Sequence, residues 1–344
     1  NPGFPYGFYT VVYRPYERYN ANASINHKIF DDHLEAFANS YYVRNQSFNQ
    51  LAPSPLAGQT LPASNYWYQQ LFGAQATGPL RFSYRPVEFG PRQTFTDFES
   101  FHNVFGLRGR INESSWKWET AFMYDRVTTT ERQTGGVVGA NYDKLLADKT
   151  SSAFNVFGYT PIGGSSPVVP QSTLSSLSGT AYSFSADSIF LGDAHVGGQV
   201  FDLPAGAVEA SLGSEYRQVK GSSEPDIAIQ NGLIRPFNIS QPLIASRDVH
   251  SFFGEVLVPV LGKDQNVPLV HSLTFSHAGR YESFSDVGNT HYKPSFNFRW
   301  QPIDKQLTLR GSYAEGYIAP GFDQLYQLPG QDFTELYNPR SEEH

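Results

Sequence analysis

The sequence predicts an all-β protein: an antiparallel, up-and-down transmembrane β-barrel, of which the chain supplies about ten strands. Three observations carry that expectation. Apolar and polar residues alternate with period two in block after block, which is the pattern of strands with two chemically different faces. Most blocks exceed the roughly 5 to 6 residues of strands in soluble domains and reach the about 9 to 11 that cross a bilayer. Short connections alternate strictly with others that are mostly long, so one end of an up-and-down sheet holds the tight turns and the other the large loops.

In chain order, the predicted strands cover residues 21 to 29, 34 to 44, 99 to 110, 116 to 132, 188 to 201, 207 to 220, 248 to 260, 269 to 283, 291 to 300 and 306 to 316. In the first, Ala21, Ala23 and Ile25 oppose Asn22, Ser24 and Asn26. In the fourth, Trp116, Trp118, Phe122 and Tyr124 oppose Lys117, Glu119 and Asp125. The sixth is the clearest: Val208, Ala210, Leu212 and Tyr216 lie on one face, Glu209, Ser211, Glu215 and Arg217 on the other. Leu273, Phe275, Gly279 and Tyr281 alternate with Thr274, Ser276, Arg280 and Glu282, and Phe296, Phe298 and Trp300 with Ser295, Asn297 and Arg299. In the last, Leu307, Leu309 and Tyr313 alternate with Thr308, Arg310 and Ser312. The long connections are 45–98, 133–187 and 221–247, with one or two helical turns expected around Tyr142 to Lys149.

Composition narrows the function classes. The chain carries 27 Phe, 21 Tyr and 4 Trp, yet only 17% of it is charged, against about 25% in ordinary soluble domains. A net charge of -7 without a basic cluster argues against a nucleic-acid partner. The absence of Cys excludes disulfides, thiolate metal sites and Cys nucleophiles. The longest strongly apolar run, Val256 to Leu261, contains Pro259 and is too short for a membrane helix. Nothing near Asn1 combines a basic start, an apolar run and a small-residue cleavage site.

Enzyme signatures are lacking. Gly135-Gly136-Val137-Val138-Gly139 does not have dinucleotide-binding spacing, and Gly262-Lys263 lacks the upstream Gly of a phosphate loop. There is no Gly-x-Ser-x-Gly, no His-Glu-x-x-His, and the nine His never pair at metal-ligand spacing. We therefore expect no catalytic residue, metal or cofactor. The candidate functional residues are those of the polar strand face, Glu209, Glu215, Arg217, Glu255, Arg280, Glu282, Lys293, Arg299 and Arg310, which in a closed barrel line the lumen. There they would meet passing substrate, or simply form a solvated ladder of cross-strand ion pairs. Tyr66, Trp67 and Tyr68 in the first long loop offer flat faces for stacking on a ligand, or ordinary loop packing.

Several motifs point further. They are Phe253-Gly254-Glu255-Val256-Leu257-Val258-Pro259, Gly279-Arg280-Tyr281-Glu282, Trp300-Gln301-Pro302, and above all the run from Leu309 to Pro320, LRGSYAEGYIAP. Upstream stand Phe201 to Gly206, Gly213-Ser214-Glu215-Tyr216-Arg217, Ala153 to Gly158 and Ala52 to Leu56. In this order they resemble the TonB-dependent receptors of Gram-negative outer membranes. Ile318, Gly321 and Val156 depart from the residues usual there, which are Arg, Ser and Pro.

The resemblance implies a 22-stranded barrel, an N-terminal plug and a TonB box. The chain is accordingly read over residues 1–344 as the central part of such a barrel, without plug or C-terminal strands. It implies a non-enzymatic receptor in the cell outer membrane, whose loops at 45–98, 133–187 and 221–247 are extracellular. The implied partners are the TonB energy-transducing complex, outer-membrane lipid, and a scarce ligand such as a siderophore, a vitamin or an oligosaccharide. Two other readings of the residues stay open: a secreted soluble β-protein, either a carbohydrate-active enzyme or an adhesin, and a passive channel.

Overall fold

The computed structural model describes residues 6–31, 33–157, 170–290 and 292–329. Its strands are β1 (Tyr16–Phe30), β2 (Leu34–Leu51), β3 (Leu56–Leu61), β4 (Leu80–Tyr84), β5 (Arg92–Arg110), β6 (Lys117–Val138) and β7 (Ser178–Leu203). They continue with β8 (Gly206–Pro225), β9 (Ile234–Arg235), β10 (Leu243–Leu261), β11 (Ser272–Phe284), β12 (Gly288–Asn289), β13 (Lys293–Gln301) and β14 (Leu309–Ala314). The helices are short: α1 (Tyr66–Phe72), α2 (Gly139–Leu146), α3 (Gln171–Leu177), α4 (Ile227–Gln230) and α5 (Phe322–Tyr326). No helix among the described residues is long and apolar enough to cross a membrane, which bears only on helices.

Ten strands form one antiparallel path, β1-β2-β5-β6-β7-β8-β10-β11-β13-β14, and each joins its neighbour in chain order apart from short insertions. This is the up-and-down topology expected, as a partial barrel that is not closed. All ten predicted strands exist, but most extend further toward the long connections. Five of them, β5, β6, β7, β8 and β10, run for 19 to 26 residues. The tenth is shorter than expected, and Trp116 and Leu307 fall just ahead of β6 and β14.

Residues paired across the ladder share a face, so the register sorts the whole sheet into two faces. One is apolar. Phe105, Phe122, Phe190, Tyr216 and His250, on five adjacent strands, follow one another around it with ring centroids 5.0 to 6.5 Å apart. These rings have no covering layer: Phe105 is 56% exposed, and Leu212 beside them 66%.

The apolar face has a sharp chemical edge. It ends loopward in an aromatic row, Tyr42 on β2, then Phe101, Tyr124, Phe190, Tyr216, His250 and Tyr281 on successive strands; further rings on the same face, Phe48, Phe95, Phe184 and Tyr182, stand beyond intervening residues such as Arg44, Glu99 and Ser188. The next residue past the row on the same face is Arg44, Glu99, Arg126, Ser188, Gln218, Asp248 or Ser283. Tyr42 pairs with Phe101, Tyr124 with Phe190 and Tyr216 with His250, whereas Tyr124 pairs with Asn103, Gly192 with Tyr216 and Phe252 with Tyr281. The edge thus steps two residues toward the short turns at every second pairing. At about 3.3 Å per residue and about 4.8 Å between strands, that slope is about 35°. Turnward of the edge, nine-residue stretches such as Val208–Tyr216 and Leu273–Tyr281 carry no Asp, Glu, Lys or Arg on this face. Projected at that slope, nine residues span about 22 Å.

The described parts of the long connections, 52–91, 139–157 with 170–177, and 226–242, meet at one end. Leu56, Leu61 and Tyr68 from the first pack with Val137 at the end of β6 and with Tyr142, Leu146, Phe154 and Leu177 from the second. Asn65 stitches the two together, its amide donating to the Leu146 carbonyl oxygen (2.9 Å) while its side-chain oxygen caps α1. The third connection joins through β9, which pairs with the end of β6. The helical turn expected near Tyr142 is α2.

Candidate functional site

The nine sequence-picked charged residues share the polar face. Glu215 and Glu282 both pair with Ser251, Arg280 pairs with Phe253 and Lys293, Glu255 with Ser211, and Arg299 with Arg310. Four of them converge. Arg280 places Nη2 3.1 Å from Glu215 Oε2 and Nε 3.0 Å from Glu282 Oε1. Ser251 accepts from Arg280 Nη2 (3.0 Å) and donates to Glu282 Oε1 (3.2 Å). Arg217 closes the group 3.7 Å from Glu215 and 3.9 Å from Glu282. Two cations and two carboxylates on β8 and β11 thus neutralise one another across β10.

The rest are more dispersed. Lys293 lies 3.7 Å from Glu315. Glu209, Glu255, Arg299 and Arg310 form no ion pair among the described residues, and Arg299 directly opposes Arg310, an arrangement that is destabilising unless solvated. Both arginines are exposed.

The nine candidates leave out the polar face of the earlier strands, although alternation already puts Asp125 there. There Arg108 binds Glu35 (2.8 Å), His102 contacts Asp125, and His195 lies 3.3 Å from Asp193. On β2 and β5 that face also carries Phe37, Val43 and Val104, so the period-two signal is blurred around Glu35, His102 and Arg108.

Of the three loop aromatics, Tyr68 is buried in the loop core against Phe72 and Phe157, and the Trp67 indole N–H donates to the Ala153 carbonyl oxygen at 2.9 Å. Tyr66 packs edge-on against Trp67. The structure therefore uses Tyr68 for loop packing, because the apolar residues of two loops converge on it.

Two concavities flank the polar face. One, of about 530 Å³ at the short-turn end, is lined by charged residues including Lys28, Glu35, Arg108, Arg110, Lys117 and Glu119. The other, of about 460 Å³ at the long-loop end, lies among the ends of β5, β6, β7 and β8 and the connection 226–242. Near it a clasp pins the segment after β14. Arg247, nearly buried, donates from Nε to both carboxylate oxygens of Asp286 (2.7 and 2.9 Å) and from Nη2 to the Pro320 carbonyl oxygen (2.8 Å). Tyr326 of α5 donates to the same carboxylate at 3.2 Å. No group of His, Asp or Glu among the described residues is placed to hold a metal ion.

The sequence matches no curated protein. It does match the family model described as TonB dependent receptor-like, beta-barrel, over residues 84–340, which is 257 of its 344 residues. That match spans β5 through β14, the charged group on β8 and β11, and the Arg247 clasp. The chain belongs to the TonB-dependent receptor-like β-barrel family, whose members are outer-membrane receptors and transporters.

Proposed function

We propose that this domain is the barrel of an outer-membrane receptor that takes up a scarce ligand with energy delivered through TonB, and that it performs no chemistry on that ligand. The observation that carries the membrane part is the slanted edge of the apolar face. Barrel strands in outer membranes tilt by about 35 to 45° and carry an apolar band about 25 Å tall, with aromatic girdles at its borders. A slope of about 35° and a span of about 22 Å, bordered by Tyr and Phe rings, fit that frame. Soluble packing gives no reason for an uncovered belt of rings with a straight, tilted border. The polar face then lines the lumen, with Glu215, Arg217, Arg280 and Glu282 on the path of the ligand. The long connections stand on the extracellular side.

The test is uptake by whole cells. Radiolabelled cobalamin, ferric citrate and maltotetraose are offered to the parent strain, to a strain lacking this receptor and to one lacking TonB. Accumulation of a probe that is lost in both deletions supports the reading. Accumulation lost with the receptor but preserved without TonB means a passive channel and overturns it.

A further inference from the structure

The concavity at the long-loop end differs in chemistry from the rest of the polar face. Its volume of about 460 Å³ lies within the range of ligand sites. Its lining presents the hydroxyls of Thr94, Thr134, Ser183, Ser223 and Ser240 and the amide of Asn238. None of these six side chains hydrogen-bonds to another described residue. Arg92 is the one ionisable residue of the lining, and its Nε already donates to the Ala52 carbonyl oxygen at 2.9 Å. By contrast, the concavity at the other end of the same face is lined by lysines, arginines and glutamates.

The wall that completes the site is fixed. Residues 234–240 are held to the sheet by the pairing of β9 with β6 and to α2 by a bidentate bond from Arg235 to Asp143, both contacts at 2.8 Å. Ile234 and Phe237 fit against Gly136, where a Cβ would come within 2.3 Å of Ile234 and 2.9 Å of Phe237. Glycine at that point lets the connection lie flat on β6. Phe237 and Pro236 thereby reach the lining without rearrangement.

We propose that this concavity binds a neutral, polyhydroxylated ligand, an oligosaccharide, at the extracellular mouth; the assignment rests on the receptor reading above. Hydroxyls that both donate and accept match sugar hydroxyls, which do the same. The Phe237 ring supplies an apolar platform for the C–H face of a sugar ring. An anionic ferric complex would need charge-assisted donors, and this lining supplies a single guanidinium with one donor already committed. Preformed walls also limit the ordering entropy of binding.

Calorimetry of the purified full-length receptor in detergent tests this, with xylotetraose, cellotetraose and maltotetraose as neutral probes, and tetragalacturonate and ferric citrate as anionic ones. At least one neutral tetraose is expected to bind and both anions to fail. Phe237→Ala is expected to weaken the neutral binding at least tenfold. The pair Ser183→Ala with Ser223→Ala, which removes only two oxygen atoms, should weaken it several-fold with unfolding temperature unchanged. Binding of an anion alone, binding of no tetraose, or tetraose binding indifferent to both variants overturns the proposal. Because binding needs no TonB, the two readings fail separately. Sugar binding with TonB-independent import sinks only the uptake reading. TonB-dependent import of ferric citrate with no sugar bound sinks only this one.

Discussion

Removing Arg280 would leave Glu215 and Glu282, whose side chains are only 14% and 17% exposed, facing each other with Arg217 alone, at 3.7 and 3.9 Å, to balance them. Arg280→Ala should therefore destabilise the barrel by about 1 kcal/mol, a modest value because the arginine is itself partly solvated. Urea unfolding in vesicles measures it, and Arg280→Lys, which keeps the charge but not the fork, should recover part of the loss. A glycine gives a sharper case. A Cβ on Gly109 would sit 1.9 Å from the His33 carbonyl oxygen, which is backbone and cannot turn away. At Gly254 the nearest atom is 3.2 Å distant. Gly109→Ala should cost about 1 to 3 kcal/mol and Gly254→Ala markedly less, by the same unfolding assay. Among single residues the sequence revealed charge and parity but not burial. Tyr66, Trp67 and Tyr68 look alike in the chain, and only the meeting of two loops sends Tyr68 into a core.

Elements at the loop end depend on such meetings. The segment carrying α5 is tied down by Arg247 and Asp286. Burial raises the Asp286 pKa, but the Arg247 bond outweighs it, and the net result lies below the ordinary carboxylate value. A depressed carboxylate contributes stability above its unfolded pKa of about 4, and that contribution is lost as pH falls through the folded value. Amide exchange at Leu325 and Gln327, corrected for intrinsic rates, should be flat from pH 7 to 5 and rise only below about pH 4. Asp286→Asn should exchange fast throughout. An equal rise in that variant and the wild type would remove Asp286 as the cause. The ten strands of the main path were legible because one face is apolar. Their loopward ends were not, because past Tyr42, Phe101 or Tyr216 that face turns to Arg44, Glu99 and Gln218 and the period-two contrast vanishes. β3, β4, β9 and β12 were also missed. Each is short, and β9 exists because the end of β6 offers it a ladder. The Phe237 site was equally hidden, since its polar residues come from four strands and a loop with no shared motif.

At the scale of the whole molecule, the tilted edge fixes a depth for every residue of the apolar face, so the cost of a charge there should follow depth rather than residue type. Leu212 is the midpoint of Val208–Tyr216, and Phe105 is the midpoint of Phe101–Gly109. Arginine at either should cost the full-length receptor about 2 to 4 kcal/mol when refolded into vesicles, the value for the bilayer midplane. Arginine in place of Tyr216 or Phe101, at the edge, should cost about 0 to 1 kcal/mol, although the ring lost is larger than leucine. Ser211→Arg, one residue from Leu212 but on the polar face, should leave refolding nearly unchanged. A soluble sandwich predicts another order: burial within a core would set the cost, and Leu212, 66% exposed here, would tolerate arginine unless a second sheet covered it. The deciding comparison is Leu212→Arg against Tyr216→Arg, with and without vesicles. Equal penalties, or a wild type that refolds as well without lipid, would contradict the membrane band and the lumen it encloses.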